Sequence, residues 1–157
     1  MWKTLLSGLL ALSLLTACSK TDDAANTGGT GGAGAGSATP GSQEDLAQTA
    51  GDRVFFELAA STLSPEARAT LDKQAAWLAK YPQVQIQVAG NCDERGTTEY
   101  NLALGQRRAT AARDYLVARG VNSSRLSVIS YGKDRPTALG SDDQSWAQNR
   151  NAISNVR

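Results

Sequence analysis

Asp93, Glu94 and Arg95 stand together in the stretch GNCDERGTTEYN (90–101), two acids and a base between glycines and beside a cysteine. Several chemistries could use such a loop. A phosphate cradle would close on Gly-Lys-Ser/Thr, and that ending is missing. A calcium cage would draw on Asp93 and Glu94 but needs further carboxylates that the loop lacks. A thiolate at Cys92 would need a base, and the chain has no histidine. That absence also removes Ser-His and Cys-His catalysis and the common zinc sets. Cys92 therefore reads as a small buried apolar residue. Hydrolysis by paired carboxylates is disfavoured because Asp93 and Glu94 are sequence neighbours and not groups facing one another across a cleft. Glu94 and Arg95, also neighbours, are expected to be solvated or locally paired. What remains for the loop is binding, with Asp93 as its charged contact.

The helix that follows carries the other half. Its pattern from about Thr98 to Arg119, closed by Gly120, can be placed on a wheel at about 100° per residue. Leu104, Gly105, Ala109, Ala112, Tyr115 and Leu116 fall on one side as the core face. Gln106, Thr110, Arg113 and Asp114 face water, and Arg107 lies on the polar flank. Arg108 and Asn101 land near the centre of the apolar face. A guanidinium is almost never buried unpaired, because stripping its water costs several kcal/mol unless an anion and hydrogen bonds replace that water. Arg108 is thus expected to meet a carboxylate. A structural salt bridge beneath the helix would supply one, with Asp93 as partner. Alternatively, Asp93 and Arg108 jointly hold a ligand bearing an ammonium and a carboxylate. The loop sits where a strand's carboxyl end meets a helix N-terminus, a junction that commonly hosts ligands. Gly90 and Gly96 are expected to let the backbone turn closely around the guest.

These residues need elements to hold them. Arg53-Val54-Phe55-Phe56 reads as a first strand. Ser64-Pro65-Glu66 opens a helix as cap, first-turn proline and first-turn acid. Ala67, Leu71, Ala75 and Leu78 then recur at helical spacing until Tyr81-Pro82 stops them. VQIQV (84–88) alternates as a half-covered strand, RLSVISYG (125–132) gives a third, and NAISNV (151–156) a weaker last one. The fold class expected is α/β: a two-layer sandwich, a mixed β-sheet with two main helices on one face.

The N-terminal third is of another kind. A short positive start precedes an apolar run from Leu5 to Leu15, too short for a stable membrane span and typical of a signal peptide. Leu15-Thr16-Ala17-Cys18 looks like a bacterial lipobox, predicting a signal peptide over 1–17 and lipidation of Cys18. Residues 18–49 are rich in Gly, Ala, Ser and Thr with no apolar periodicity, and are expected to form a flexible tether reaching roughly 30 Å. Residues 50–157 are then one domain. With Cys18 lipidated, Cys92 has no disulfide partner. Lys and Arg total 16 against 15 Asp and Glu, with no basic run interleaved with aromatics, so nucleic acid is not expected as a partner. No metal or cofactor is expected.

The chain resembles the OmpA-like peptidoglycan-binding family, and within it the peptidoglycan-associated lipoproteins. The resemblance is carried by the lipobox and tether, GDRVFF, LSPEARATLDKQAAWL, GNCDERGTTEYNLALGQRRA, SYGKDRP and QNR. It implies non-covalent binding of the diaminopimelate residue of peptidoglycan stem peptides. By motif position it implies Asp93 and Arg108 as the clamp, Asn101 as a hydrogen-bonding contributor, Arg150 near the ligand, and Glu57 where the family usually has Asp. It also implies a lipid anchor in the outer membrane, for which Ser19 after Cys18 fits, with the domain in the periplasm. The partners implied are TolB and other Tol proteins, in envelope integrity and outer-membrane invagination at cell division.

Several positions depart from the family pattern. Glu57-Leu58-Ala59-Ala60 replaces a more polar segment, Asn91 stands where His is common, and Asn151 replaces a second arginine. Ile153-Ser154-Asn155-Val156 is more polar than the usual closing strand, which is expected to weaken it without visible compensation. The alternatives are a wall-binding lipoprotein outside the Tol system and, on paired carboxylates alone, a wall-remodelling enzyme.

Overall fold

Alternating Ile86 and Val88, the helical stripe Ala67-Leu71-Ala75-Leu78 and the stripe Leu104-Ala109-Ala112-Leu116 all have one place to go, and they meet in a single core. A computed structural model of the chain describes residues 38–157. The expected signal peptide (1–17), the lipidation at Cys18 and the tether as far as residue 37 lie outside the described residues. In chain order the elements are α1 (Gln43–Thr49), β1 (Arg53–Phe55), α2 (Pro65–Lys80), β2 (Ile86–Asn91), α3 (Thr98–Ala118), β3 (Leu126–Gly132), α4 (Asp143–Asn149) and β4 (Asn151–Val156).

The sheet is mixed, in the order β1-β4-β2-β3. β2 and β3 are parallel, joined by α3 as the crossover, while β4 runs antiparallel to both β1 and β2. The two long helices α2 and α3 share one core with Val54, Ile86, Val88 and Ala152, so they cover one face as expected. α2 starts as its sequence predicts, with the Ser64 side chain accepting from the Ala67 amide at 3.1 Å. All of its expected apolar positions are buried.

Two short helices were not foreseen. α1 falls in the last part of the expected tether and packs with the domain. Ser42 caps it, Leu46 is fully buried, Trp77 Nε1 donates to Asp45 Oδ2 at 3.0 Å, and Gln43 bonds the backbone of Ser154 and Val156. Its polar composition hid a single buried leucine among cap-forming residues. α4 has no apolar stripe of its own and sits immediately before β4.

The expected weak last strand is the second strand of the sheet, paired on both sides. Its polar residues do have compensating partners. The Ser154 hydroxyl donates to Gln74 Oε1 at 2.8 Å, and Gln74 Nε2 donates to Gly51 O at 2.7 Å. Asn151 donates to Thr137 Oγ1 and Gln148 O and accepts from Asn91 Nδ2. A buried polar group costs little once its partners are present. Those partners come from 3 to 80 positions away, beyond what the strand's own pattern reveals.

One close approach fixes where α3 lies on the sheet. A Cβ on Gly90 would stand 1.8 Å from the Gly105 carbonyl oxygen, and one on Gly105 would stand 2.8 Å from the Gly90 oxygen. Strand and helix backbones touch here because neither residue has a side chain. Gly90 was expected to shape a loop around a guest; it lies within β2 and serves this packing instead.

Candidate functional site

β2 delivers the loop to the rim of the sheet, where the Cys92 amide donates to Gly132 O at 2.7 Å and ties it to the end of β3. The loop then folds on its own side chains. Asp93 Oδ1 accepts from the Arg95 amide at 3.1 Å, a local Asx-type turn. Gly96, at φ +95°, makes the left-handed step that redirects the chain, and Thr97 caps α3 by accepting from the Tyr100 amide. Asn101 closes the loop from the helix side, its Nδ2 donating to Arg95 O at 2.9 Å and Thr97 O at 3.1 Å.

Arg108 is fully buried beneath this loop, as the wheel predicts. Its partners are not carboxylates. Nε donates to Ala60 O at 2.8 Å, Nη1 to Asn91 O at 2.9 Å and Nη2 to Glu57 O at 3.1 Å, with the Phe56 ring 5.3 Å from the guanidinium carbon. The expected Asp93–Arg108 salt bridge is not formed. Burial draws the Arg108 pKa below its ordinary value. Carbonyl acceptors replace its lost water, and hydrogen bonds to a charged group contribute about 1.5–3 kcal/mol each. The same bonds hold the 57–60 segment, in which Ala59 sits at φ +55°, an uncommon conformation for a residue with a Cβ.

Asp93 is nearly buried and meets two other arginines. Arg95 Nε donates to Oδ1 at 3.1 Å and Nη2 to Oδ2 at 2.7 Å, and Arg150 Nη1 lies 3.5 Å from Oδ2. Burial works against the charged form of Asp93. The bonds from Arg95 and Arg150 outweigh it and hold the carboxyl below its ordinary pKa. Cys92 lies between these charges, its thiol pushed up by burial, which leaves it protonated and inert near neutral pH. Glu94 turns outward and accepts from Trp146 Nε1 at 3.0 Å.

Asp93, Asn101 and Arg108 line one small cleft of about 40 Å³, with Leu58, Ala59, Arg95 and Tyr100 among the other walls. Glu57 and Arg150 do not line it. They line a neighbouring groove of about 550 Å³ between the 57–66 segment and α4. Arg150 links the two, its Nε donating to Phe56 O at 3.0 Å while Nη1 faces Asp93. Glu57 is tied to the cleft only indirectly, its carbonyl accepting from Arg108 Nη2. Sequence reasoning expected Arg95 to be solvated or locally paired and gave it no place in the site, and it passed over Trp146. An arginine two places after an aspartate at an Asx turn is a readable signal for Arg95; nothing local marks Trp146, which meets the loop across 52 positions.

The cleft can grip a small charged group. A largely desolvated, ionised carboxylate is set among guanidinium groups, and apolar Leu58 and Tyr100 stand exposed at its edge. Among the described residues no cluster of three potential ligands is placed to hold a metal ion, and no helix is long and apolar enough to cross a membrane.

The sequence model of the OmpA family matches residues 55–150, the span from β1 to the Arg150 bridge. The chain is 52% identical over 139 residues to a peptidoglycan-associated lipoprotein of Rhizobium meliloti, covering 88% of this chain and 79% of that protein. It is 43% identical over 150 residues to one from Pseudomonas aeruginosa, covering 90% and 89%. Among solved structures it is similar to the crystal structure of the peptidoglycan-associated lipoprotein from Burkholderia pseudomallei. That likeness has 43% identity and a TM-score of 0.65 over 68% of this chain and 90% of that one.

Proposed function

The chain belongs to the OmpA family, and we propose that it is a non-enzymatic outer-membrane lipoprotein whose C-terminal domain holds peptidoglycan without a covalent bond. The observation that carries this reading is the Asp93 carboxylate, ionised, nearly buried and open to one small cleft beside Arg95, Asn101 and Arg108. Its close relatives are named for association with peptidoglycan, and diaminopimelate carries the ammonium-plus-carboxylate end that such a cleft fits. Asp93 takes the ammonium. Arg108 forms the floor and holds the 57–60 wall in place, and Asn101 keeps the loop closed against the helix. Arg150 steadies Asp93 from the adjoining groove. Glu57 contributes its carbonyl to the wall.

Lipid on Cys18 would hold the outer membrane, with the Gly-rich segment as spacer and the domain in the periplasm. A clamp on one residue gives modest affinity, and many copies held near the wall give avidity. A role with TolB in the Tol system and in division belongs to the same reading. Retention of TolB on the immobilised chain tests it, and no retention assigns the chain to wall anchoring outside that system. Catalysis is disfavoured because the cleft's carboxylate is already engaged by two guanidinium groups and Glu94 faces Trp146. Co-sedimentation with purified sacculi tests the clamp: the full chain pellets, Asp93→Asn stays in solution, and pelleting of both would sink the assignment of Asp93.

A further inference from the structure

Arg95 occupies the carboxylate that a ligand ammonium must reach. Its amide and Nε share Asp93 Oδ1, and its Nη2 takes Oδ2 at 2.7 Å, so both oxygens are engaged before any ligand arrives. The three guanidinium groups near the cleft differ in freedom. Arg108 is fully buried with three backbone partners, and Arg150 is mostly buried and tied to Phe56 O. The Arg95 side chain is 39% exposed. Its guanidinium carbon lies 4.2 Å from the centroid of the Trp146 ring, and Trp146 is held in turn by its bond to Glu94. A guanidinium stacked on an indole can slide over that face while keeping the stack, because cation–π attraction is far less directional than a bidentate ion pair.

We infer that Arg95 is an exchangeable counter-ion that makes the cleft select ligands carrying an ammonium and a carboxylate on one short segment. The inference rests on the wall-binding reading and adds a specificity-determining residue to it. In the exchange, the ligand ammonium replaces the Arg95 guanidinium on Asp93, and the ligand carboxylate takes the freed guanidinium, still stacked on Trp146. Charge is matched before and after. A ligand with the ammonium alone breaks the Asp93–Arg95 pair and offers the displaced cation nothing, so it binds weakly.

The test is calorimetric titration of the full chain with two soluble wall tripeptides, one ending in meso-diaminopimelate and one with L-lysine in its place. The wild-type chain should prefer the first. In Arg95→Gln the lysine peptide should gain affinity, its competitor being gone, while the diaminopimelate peptide gains nothing or loses. The preference should shrink about tenfold. The variant should unfold at a slightly lower temperature, since Arg95 helps to neutralise Asp93, and a single cooperative transition shows that the domain is still folded. A preference that stays within about twofold of wild type, or equal loss of both peptides, overturns the exchange. Asp93→Asn separates the two levels. Binding of neither peptide by the wild-type chain sinks the wall reading itself, normal binding by Asp93→Asn sinks the role of Asp93 and the exchange with it, and loss of binding in Asp93→Asn together with an unchanged Arg95→Gln preference sinks only the exchange.

Discussion

Asp93 and Arg108 line the same cleft without forming an ion pair. Asp93 is matched by Arg95 and Arg150, and Arg108 by the carbonyls of Glu57, Ala60 and Asn91. The two residues therefore carry different kinds of load. Asp93 presents charge to the cleft, and Arg108 holds the wall that shapes it.

Replacing Arg108 with Ala should unfold or loosen the domain as well as abolish binding. Three carbonyls, that of buried Asn91 among them, lose their donor and a cavity opens, a loss of about 3–5 kcal/mol. The full burial of Arg108 and its three partners set the size of the effect. Urea unfolding measures the effect, and a midpoint equal to wild type would show that the wall does not depend on Arg108.

Asp93 sets a pH dependence whose sign follows from its depressed pKa. A carboxyl held below its ordinary 3.8 in the folded state contributes stability that is fully present above the unfolded pKa and is lost as pH falls through the folded value. Sacculus binding and the Asp93 contribution to stability should both be flat from neutral pH down to about 4.5, and should fall only below the ordinary carboxylate range. Loss of binding already near pH 6 in a pH series of co-sedimentation would contradict this.

Ala59→Gly should raise stability slightly. The residue holds φ +55°, which costs roughly 1–2 kcal/mol for an L side chain, offset by about 0.4–1 kcal/mol of extra freedom in the unfolded chain. The net gain, about 0.5–1 kcal/mol, is read as a small rise in Tm. A larger β-branched residue there should do the reverse.

Gly90→Ala should be among the most damaging small changes in the molecule. Its Cβ would meet the Gly105 carbonyl at 1.8 Å, and both atoms belong to backbones locked in β2 and α3. Relief requires lifting the helix from the sheet, at a cost of about 3 kcal/mol or more. Far-UV circular dichroism through a thermal scan distinguishes this from a tolerated change.

Leu46→Ala should cost about 3 kcal/mol although it lies in a stretch that reads as spacer, because the side chain is fully buried in the core to which Trp77 also belongs. A shortened chain beginning at residue 50 should lose a similar amount, measured by chemical unfolding. Equal stability with and without residues 38–49 would return α1 to the tether.

Local pattern was enough for the long elements. Ser64-Pro65, the stripe from Ala67 to Leu78, and the face from Leu104 to Leu116 are written within a few residues of where they act, and helical periodicity reads them directly. Even the anomaly at Arg108 was legible, since its burial follows from its place on the wheel. Its partners were not. A carbonyl looks the same on every residue, so nothing in Glu57, Ala60 or Asn91 announces that it will receive a guanidinium. The same limit hid the support beneath β4, where Ser154 meets Gln74 across 80 positions.

The residues by themselves determined an α/β domain, its two long helices, the burial of Arg108 and the charged loop at Asp93, because each follows from side-chain type at short spacing. Tertiary structure alone decided that Arg150 reaches Asp93, that Arg108 binds backbone, that β4 lies inside the sheet and that α1 joins the domain. Each of these rests on atoms brought together from far apart in the chain, and which donor meets which acceptor is settled only when the core closes around them.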